Sequence, residues 1–252
     1  MRQTRYAALK QKGAAAQNMM QNNSEQPDTT YTIITPDAPI AVNTHGGRAK
    51  CLQRLIRLDM PVPTTAAVSF DGVHGIAQGR LPDTEALLSG FGDMPVVSVR
   101  PSSEDPDWGG PGAILNIGMN NARHKALSDE LGEEAANRLY MRFVQSYAVH
   151  VARLDPDAFE QDEDGSAETL KRVLETYEFE CEEEFPQDPA HQLQEVLRSM
   201  ARAWEGTSAR LLRQSKGAPA DAGLGLVVQE MIFGLGSGEC GSGVIRFINP
   251  HT

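Results

Sequence analysis

A stretch of helical periodicity from about 122 to 205 separates two groups of strand-like runs, and this order constrains the fold more than any other feature. Before it, "TYTIIT" (30–35) reads as a short strand ending at Pro36. "THGGRAKCLQRLIRLDMPVPTTAAVSF" (44–70) reads as a glycine turn, a helix, a proline-bounded connector and a strand. Val96, Val97 and Val99 mark a buried strand, which Pro101 should stop at Arg100 because proline cannot donate to a ladder. After it come "LGLVVQEMIFG" (224–234) and "GVIRFI" (243–248), joined by "GLGSGECGSG" as a hairpin with a long flexible loop. Strands, helices and strands in that order predict an α+β protein with a helical insertion.

Three helices are expected in the central stretch. The first carries Leu139, Phe143, Tyr147 and Val151, with Ser128, Asp129 and Glu130 as cap and acidic first turn. The second follows Ser166 and uses Leu170, Val173, Leu174 and Tyr177. The third starts at Asp188 as N-cap with Pro189 in the first helical position, and Leu193, Val196, Leu197, Met200 and Trp204 form its apolar stripe. Residues 1 to 28 lack apolar periodicity and are expected to form a mobile tail.

Charge narrows the partners. Between Asp155 and Asp188 fourteen acidic residues stand against Lys171 and Arg172, a balance of 14 − 2 in favour of acid that slightly exceeds the whole net charge of -11. Such a surface repels nucleic acid, and "ECEEEF" lacks the alternation and glycine turn of a calcium loop. Three scattered cysteines (Cys51, Cys181, Cys240) fit reduced cytoplasmic thiols better than a disulfide framework or a zinc site. No run is long enough to span a membrane, and the oligomeric state is left open.

Two places offer anion chemistry. His45-Gly46-Gly47-Arg48 precedes a helix, where N–H groups, close-approach glycines and a cation suit a phosphate, although a glycine-rich start to an ordinary helix gives the same pattern. Arg100 ends a strand beside a Pro/Gly-rich loop, where it either clamps an anion or neutralises Glu104, Asp105 and Asp107. The loop 234–243 offers further backbone amides. The six histidines show no metal spacing, and there is no G-x-S-x-G elbow.

Five ordered matches then give a resemblance. "GGRAKCLQRLIRLDMPVPTTAAVSF", "VSVRPSSED…LNIGMN", "FPQDPAHQL" (185–193), "VVQEMIFG" (227–234) and "GSGVIRFINP" (241–250) resemble, in order, motifs of the amino-terminal nucleotide-binding domain of pyruvate phosphate dikinase and phosphoenolpyruvate synthase. The resemblance covers about 44 to 252. It implies a two-lobed ATP-grasp fold: a first lobe over 29–121, a helical insertion over 122–205, and a hinge strand opening a second lobe over 206–252. It also implies ATP with Mg2+ as cofactors, and a histidine on another domain or chain as phosphoryl acceptor. Arg100 takes the place of the family's phosphate-contacting arginine, and Arg48, behind Gly46 and Gly47, that of its phosphate-binding lysine. Gly109 falls in the phosphate-side loop, and Gln229, Glu230, Met231 and Ile232 on the strand that meets adenine, largely through backbone groups.

The departures are equally specific. A family threonine has become Ala113 and an arginine has become Ile248. The family's acidic and glutamine residues that hold magnesium follow beyond Thr252, so no metal ligand is expected within the sequence, and no histidine here stands in a phosphohistidine motif. The alternative to a phosphotransferase domain is therefore a non-catalytic nucleotide-binding or partner-docking module.

Overall fold

A computed structural model describes residues 31–159, 164–234, 241 and 243. The segments assigned to the tail, the glycine hairpin loop and the strand 243–248 lie wholly or largely outside these residues. Strands β1 (Tyr31–Ile33), β2 (Thr65–Val68), β3 (Val97–Ser103), β4 (Ile114–Ile117) and β5 (Leu224–Glu230) form one sheet in the order β1-β2-β5-β3-β4. Every neighbouring pair is antiparallel. The strand that follows the helical stretch thus fills the slot between β2 and β3, and the fold is α+β.

Residues paired across a sheet share a face, so the register sorts the side chains. Val227 pairs with Ala67 on one side and with Arg100 on the other. This row faces helix α1 (Val42–Arg57), where Ile34, Ile40, Ala49, Ala67 and Val227 form a small buried core. The opposite face carries Ala66, Val68, Val97, Val99, Leu226 and Val228 into a much larger core. That core is closed by α2 (Phe70–Ala77), α3 (Thr84–Ser89), α4 (Asn121–Leu131), α5 (Glu133–Tyr147), α6 (Ala167–Cys181) and α7 (Pro189–Glu205). Helix α8 (Thr207–Ser215) follows, tied to α7 by Arg213, whose guanidinium stacks 3.6 Å above the Trp204 ring.

Several boundaries differ from the sequence reading. Strand β3 does not stop at Arg100 but continues through Pro101, which pairs with Leu226, to Ser103. Strand β4 pairs only with Val97 and Val99, so Pro101 stands where β3 has a single neighbour and the missing N–H is tolerated. Strand β5 ends at Glu230 rather than at 234. Ser128, Asp129 and Glu130 do not open a helix; they lie in the last turns of α4, which Asn120 caps by accepting from the Arg123 N–H at 2.8 Å. Gly132, at φ 92, separates α4 from α5. The other two caps form as expected: Ser166 Oγ accepts from Thr169 N at 3.1 Å, and Asp188 Oδ1 from Ala190 N at 3.0 Å.

The "FPQDPAHQL" segment has a structural task here. Phe185 is buried among Tyr140, Phe143, Tyr147 and Tyr177, with ring centroids 5.1–5.9 Å away. Gln187 Oε1 accepts from Asn121 N at 2.9 Å, while its Nε2 donates to Tyr140 OH at 3.1 Å. Fully buried Gln192 accepts from Gly118 N at 2.8 Å and donates to Met119 O and Pro186 O at 2.9 and 2.6 Å. Gln192 therefore latches α7 to the turn after β4, and Gln187 ties the segment before α7 to α4 and α5. Gln192→Leu keeps the volume but leaves a buried donor and two buried acceptors unpaired, and the expected loss is about 2–3 kcal/mol. A lower urea midpoint with unchanged slope would register it; an unchanged midpoint would remove the latch from the account.

Candidate functional site

The site is built where β3 meets the start of α1. Ala41 offers α1 no side-chain cap, and the helix breaks one turn in, at Gly46 (φ 82, ψ 170). From Gly47 it restarts under a cap lent by the sheet. Ser102 Oγ, fully buried, donates to His45 O at 2.7 Å and accepts from Ala49 N at 3.1 Å. The contact is too close for a side chain: a β-carbon on Gly46 would lie 1.8 Å from Ser102 O, and one on Gly225 would lie 2.6 Å from His45 O. Ser102 thus serves Ala49, and the amides of Gly47 and Arg48 stand in the first turn of the restarted helix. The positive end of the helix dipole lies at the same point.

Two arginines flank these amides. Arg48 Nε donates to Pro101 O at 2.8 Å, which turns its guanidinium back over β3. Burial pulls the Arg48 pKa down, and the charge of Arg100 pulls it further, against an opposing effect from Cys51. The two guanidinium groups are thus close enough to repel. Strand alternation puts Arg100 on the face of Ser102, two residues on, and hence on the α1 side. Among the described residues Arg100 forms no ion pair with Glu104, Asp105 or Asp107. The Asp105 carboxylate is instead occupied at the turn Pro106–Trp108, accepting from Asp107 N at 2.8 Å. His45 is also buried, and desolvation lowers its pKa.

A cavity of about 420 Å³ opens between these parts, lined by Gly47, Arg48, Cys51, Pro101, Ser102, Ser103, Pro106, Gly109 and Gly110. None of these residues is acidic. Gly109, at φ 82, lies under Lys216, whose Nζ would stand 3.3 Å from a β-carbon there. Gly110 faces the Trp204 ring, 3.6 Å from where its own β-carbon would be. Among the described residues no group of three or more His, Cys, Asp or Glu is placed to hold a metal ion, and no helix is long and apolar enough to cross a membrane.

Of the residues singled out in the sequence, Gly46, Gly47, Arg48, Arg100 and Gly109 come together at or beside this cavity. Gln229 to Ile232 do not line it. Val227 is the partner of Arg100, so Glu230 lies three residues, roughly 10 Å, farther along the sheet. Gln229 Nε2 donates to Thr65 Oγ1 at 2.9 Å. The backbone donors of Glu230 and Met231 are already engaged, with Thr64 O and Val96 O, both at 2.9 Å. Ala113 stands exposed in the loop after Gly110, and Ile248 is outside the described residues. Ser102 and Lys216 were not singled out in the sequence. Serine is too common to flag, and nothing near Lys216 in the chain announces a loop so distant in sequence.

The assembled groups can bind a polyanion: helix-start amides, two repelling arginines and a lining without carboxylates. No protein-family model matches the chain. It is similar to the pyruvate, phosphate dikinase of Clostridium symbiosum, 27% identical over 247 residues, covering 83% of this chain and 28% of that protein. Similarity to the pyruvate, phosphate dikinase of Rhizobium meliloti is 28% over 243 residues, covering 82% and 27% of the two chains. With the chloroplastic pyruvate, phosphate dikinase 1 of Arabidopsis thaliana it is 25% over 242 residues, covering 82% and 25%. The chain thus spans about a quarter of the length of these relatives.

Proposed function

Relatives so consistently named support membership of the pyruvate, phosphate dikinase family, and from that premise we infer that this chain binds ATP and presents its phosphates for transfer. The observation that carries the reading is the Arg48–Arg100 pair beside the first amides of the restarted α1, over a cavity lined without acid. Like charges that feel each other on one side of the sheet are eased when an anion joins them, and a polyphosphate supplies that charge. In this reading the phosphates lie by Gly46, Gly47, Arg48, Arg100 and Gly109. The adenine lies farther along the sheet by Gln229, Glu230, Met231 and Ile232, where the carbonyls and the Ile232 N–H take the role that the engaged donors at 230 and 231 cannot.

The described part would then be the sheet-bearing portion of a two-lobed ATP-grasp unit of a cytoplasmic phosphotransferase, with a histidine on another domain or chain as acceptor. Arg48 and Arg100 would hold the phosphates in line and offset their charge, so catalysis would be chiefly positioning and electrostatics. Magnesium supplies charge neutralisation in such transfers. The described cavity provides no carboxylate set for it, so no step is assigned to the metal here. A second reading, nucleotide binding or partner docking without turnover, is favoured by Ala113, which leaves the loop without the family's hydroxyl.

The two tryptophans make the reading testable without labels. Trp108 ends the turn before Gly109, and Trp204 packs against Gly110. Millimolar ATP with magnesium is expected to shift tryptophan emission and to give a matching calorimetric isotherm. A folded sample that gives neither signal would overturn the proposal.

A further inference from the structure

We propose that Lys216 is a third phosphate-binding cation of this site, reaching it across the Gly109–Gly110 loop from the end of α8. The inference rests on the polyphosphate reading of the cavity and adds a residue to it. Lys216 Nζ lies against the bare backbone of Gly109, at 3.3 Å from the position a β-carbon would occupy, and Gly109 belongs to the cavity wall. Among the described residues Lys216 forms no ion pair.

The backbone that carries Lys216 is held firmly. Lys216 N and Ala218 N donate to Arg213 O at 3.0 and 3.1 Å, and Gly217 takes φ 85 to close the helix end. Arg213 is buried, stacks on Trp204 and donates from Nη1 to Trp204 O at 2.7 Å. Trp204 in turn donates to Ala222 O at 3.2 Å and packs against Gly110. One tryptophan therefore supports both the lysine and the loop it covers. An exposed cation carried on a backbone held in this way, without a carboxylate partner among the described residues, beside a cavity that already contains one arginine and neighbours another, suits the distal charge of a polyphosphate. A lysine contributes such charge as a compact, hydrated ammonium rather than as a fork.

The test titrates the parent chain, Lys216→Ala, Lys216→Arg and Arg210→Ala with ATP, inorganic tripolyphosphate and adenosine, read by calorimetry. Arg210 is an exposed cation on the same helix and controls for general charge. Lys216→Ala is expected to weaken ATP and tripolyphosphate about five- to tenfold, as loss of one solvent-accessible charge-assisted contact. Adenosine binding should stay unchanged, Lys216→Arg should recover most of the loss, and Arg210→Ala should match the parent. If the parent binds ATP and Lys216→Ala binds it equally well, this inference fails while the proposed function stands. Equal losses in Arg210→Ala, or an equal loss for adenosine, also overturn it. A parent that binds neither ATP nor tripolyphosphate removes both readings.

Discussion

Arg100→Ala is expected to weaken ATP binding roughly ten- to a hundredfold. A charge-assisted hydrogen bond contributes ~1.5–3 kcal/mol, and about 1.4 kcal/mol corresponds to a factor of ten. Arg100 is half-buried on β3, paired with Val227 of β5 and facing α1, so its direction is set by the fold. Arg48 is more exposed, and its Nε is already engaged with Pro101 O. Arg48→Ala should therefore cost less, since the amides at the head of the restarted helix remain to hold phosphate. The two losses should not add: removing either arginine relieves the repulsion felt by the other. With adenosine, which carries no phosphate, the contrast should shrink. Calorimetry on the two single variants and the double variant reads all of this. An Arg100→Ala chain that stays folded and binds ATP like the parent would leave Arg100 without a role in the site.

Much of the fold was legible in the sequence, and the illegible part has definite causes. Local chemistry was readable wherever the partner lies within a turn: Ser166 and Asp188 as caps, Pro189 as the first helical residue, and the turn at Gly46. Arg100 was readable as a strand residue, but not its distance from the strand end. That depends on β5, which arrives from far along the chain and pairs as far as Ser103 with Leu224. Ser128 misled because its local pattern imitates a cap, whereas Asn120 had already started the helix and Gly132 ends it. Helices α2 and α3 were missed although Ser69 and Asp83 cap them, since eight and six residues carry too little periodicity. Strand β4 is four residues long, and Asn116 within it takes φ 61. Ser102 as a borrowed cap and Lys216 over Gly109 exist only after tertiary contact, and no pattern within either segment encodes them.

The borrowed cap also makes Gly46 the residue on which both fold and site depend. Gly46→Ala is expected to destabilise the chain by at least about 4 kcal/mol, a large share of the ~5–15 kcal/mol that holds a typical domain together. Two effects act together. The φ of 82 disfavours any residue with a β-carbon. The added carbon would also stand 1.8 Å from Ser102 O and 2.6 Å from Ser102 Oγ, where no rotamer can relieve it because the first clash is with backbone. Relief requires β3 and α1 to separate, which breaks the Ser102 bonds to His45 O and Ala49 N and pulls Arg48 from Pro101 O. Phosphate binding should be lost with the fold. Gly47→Ala is the matched control: its β-carbon would meet nothing closer than Glu104 O at 3.5 Å, and alanine suits a helix better than glycine. That variant should match the parent in stability or exceed it by up to about 1 kcal/mol, read as an equal or higher urea midpoint. If Gly46→Ala instead unfolds within about 1 kcal/mol of the parent, the close approach of α1 to β3 is not what shapes the cavity, and the phosphate site loses its physical basis.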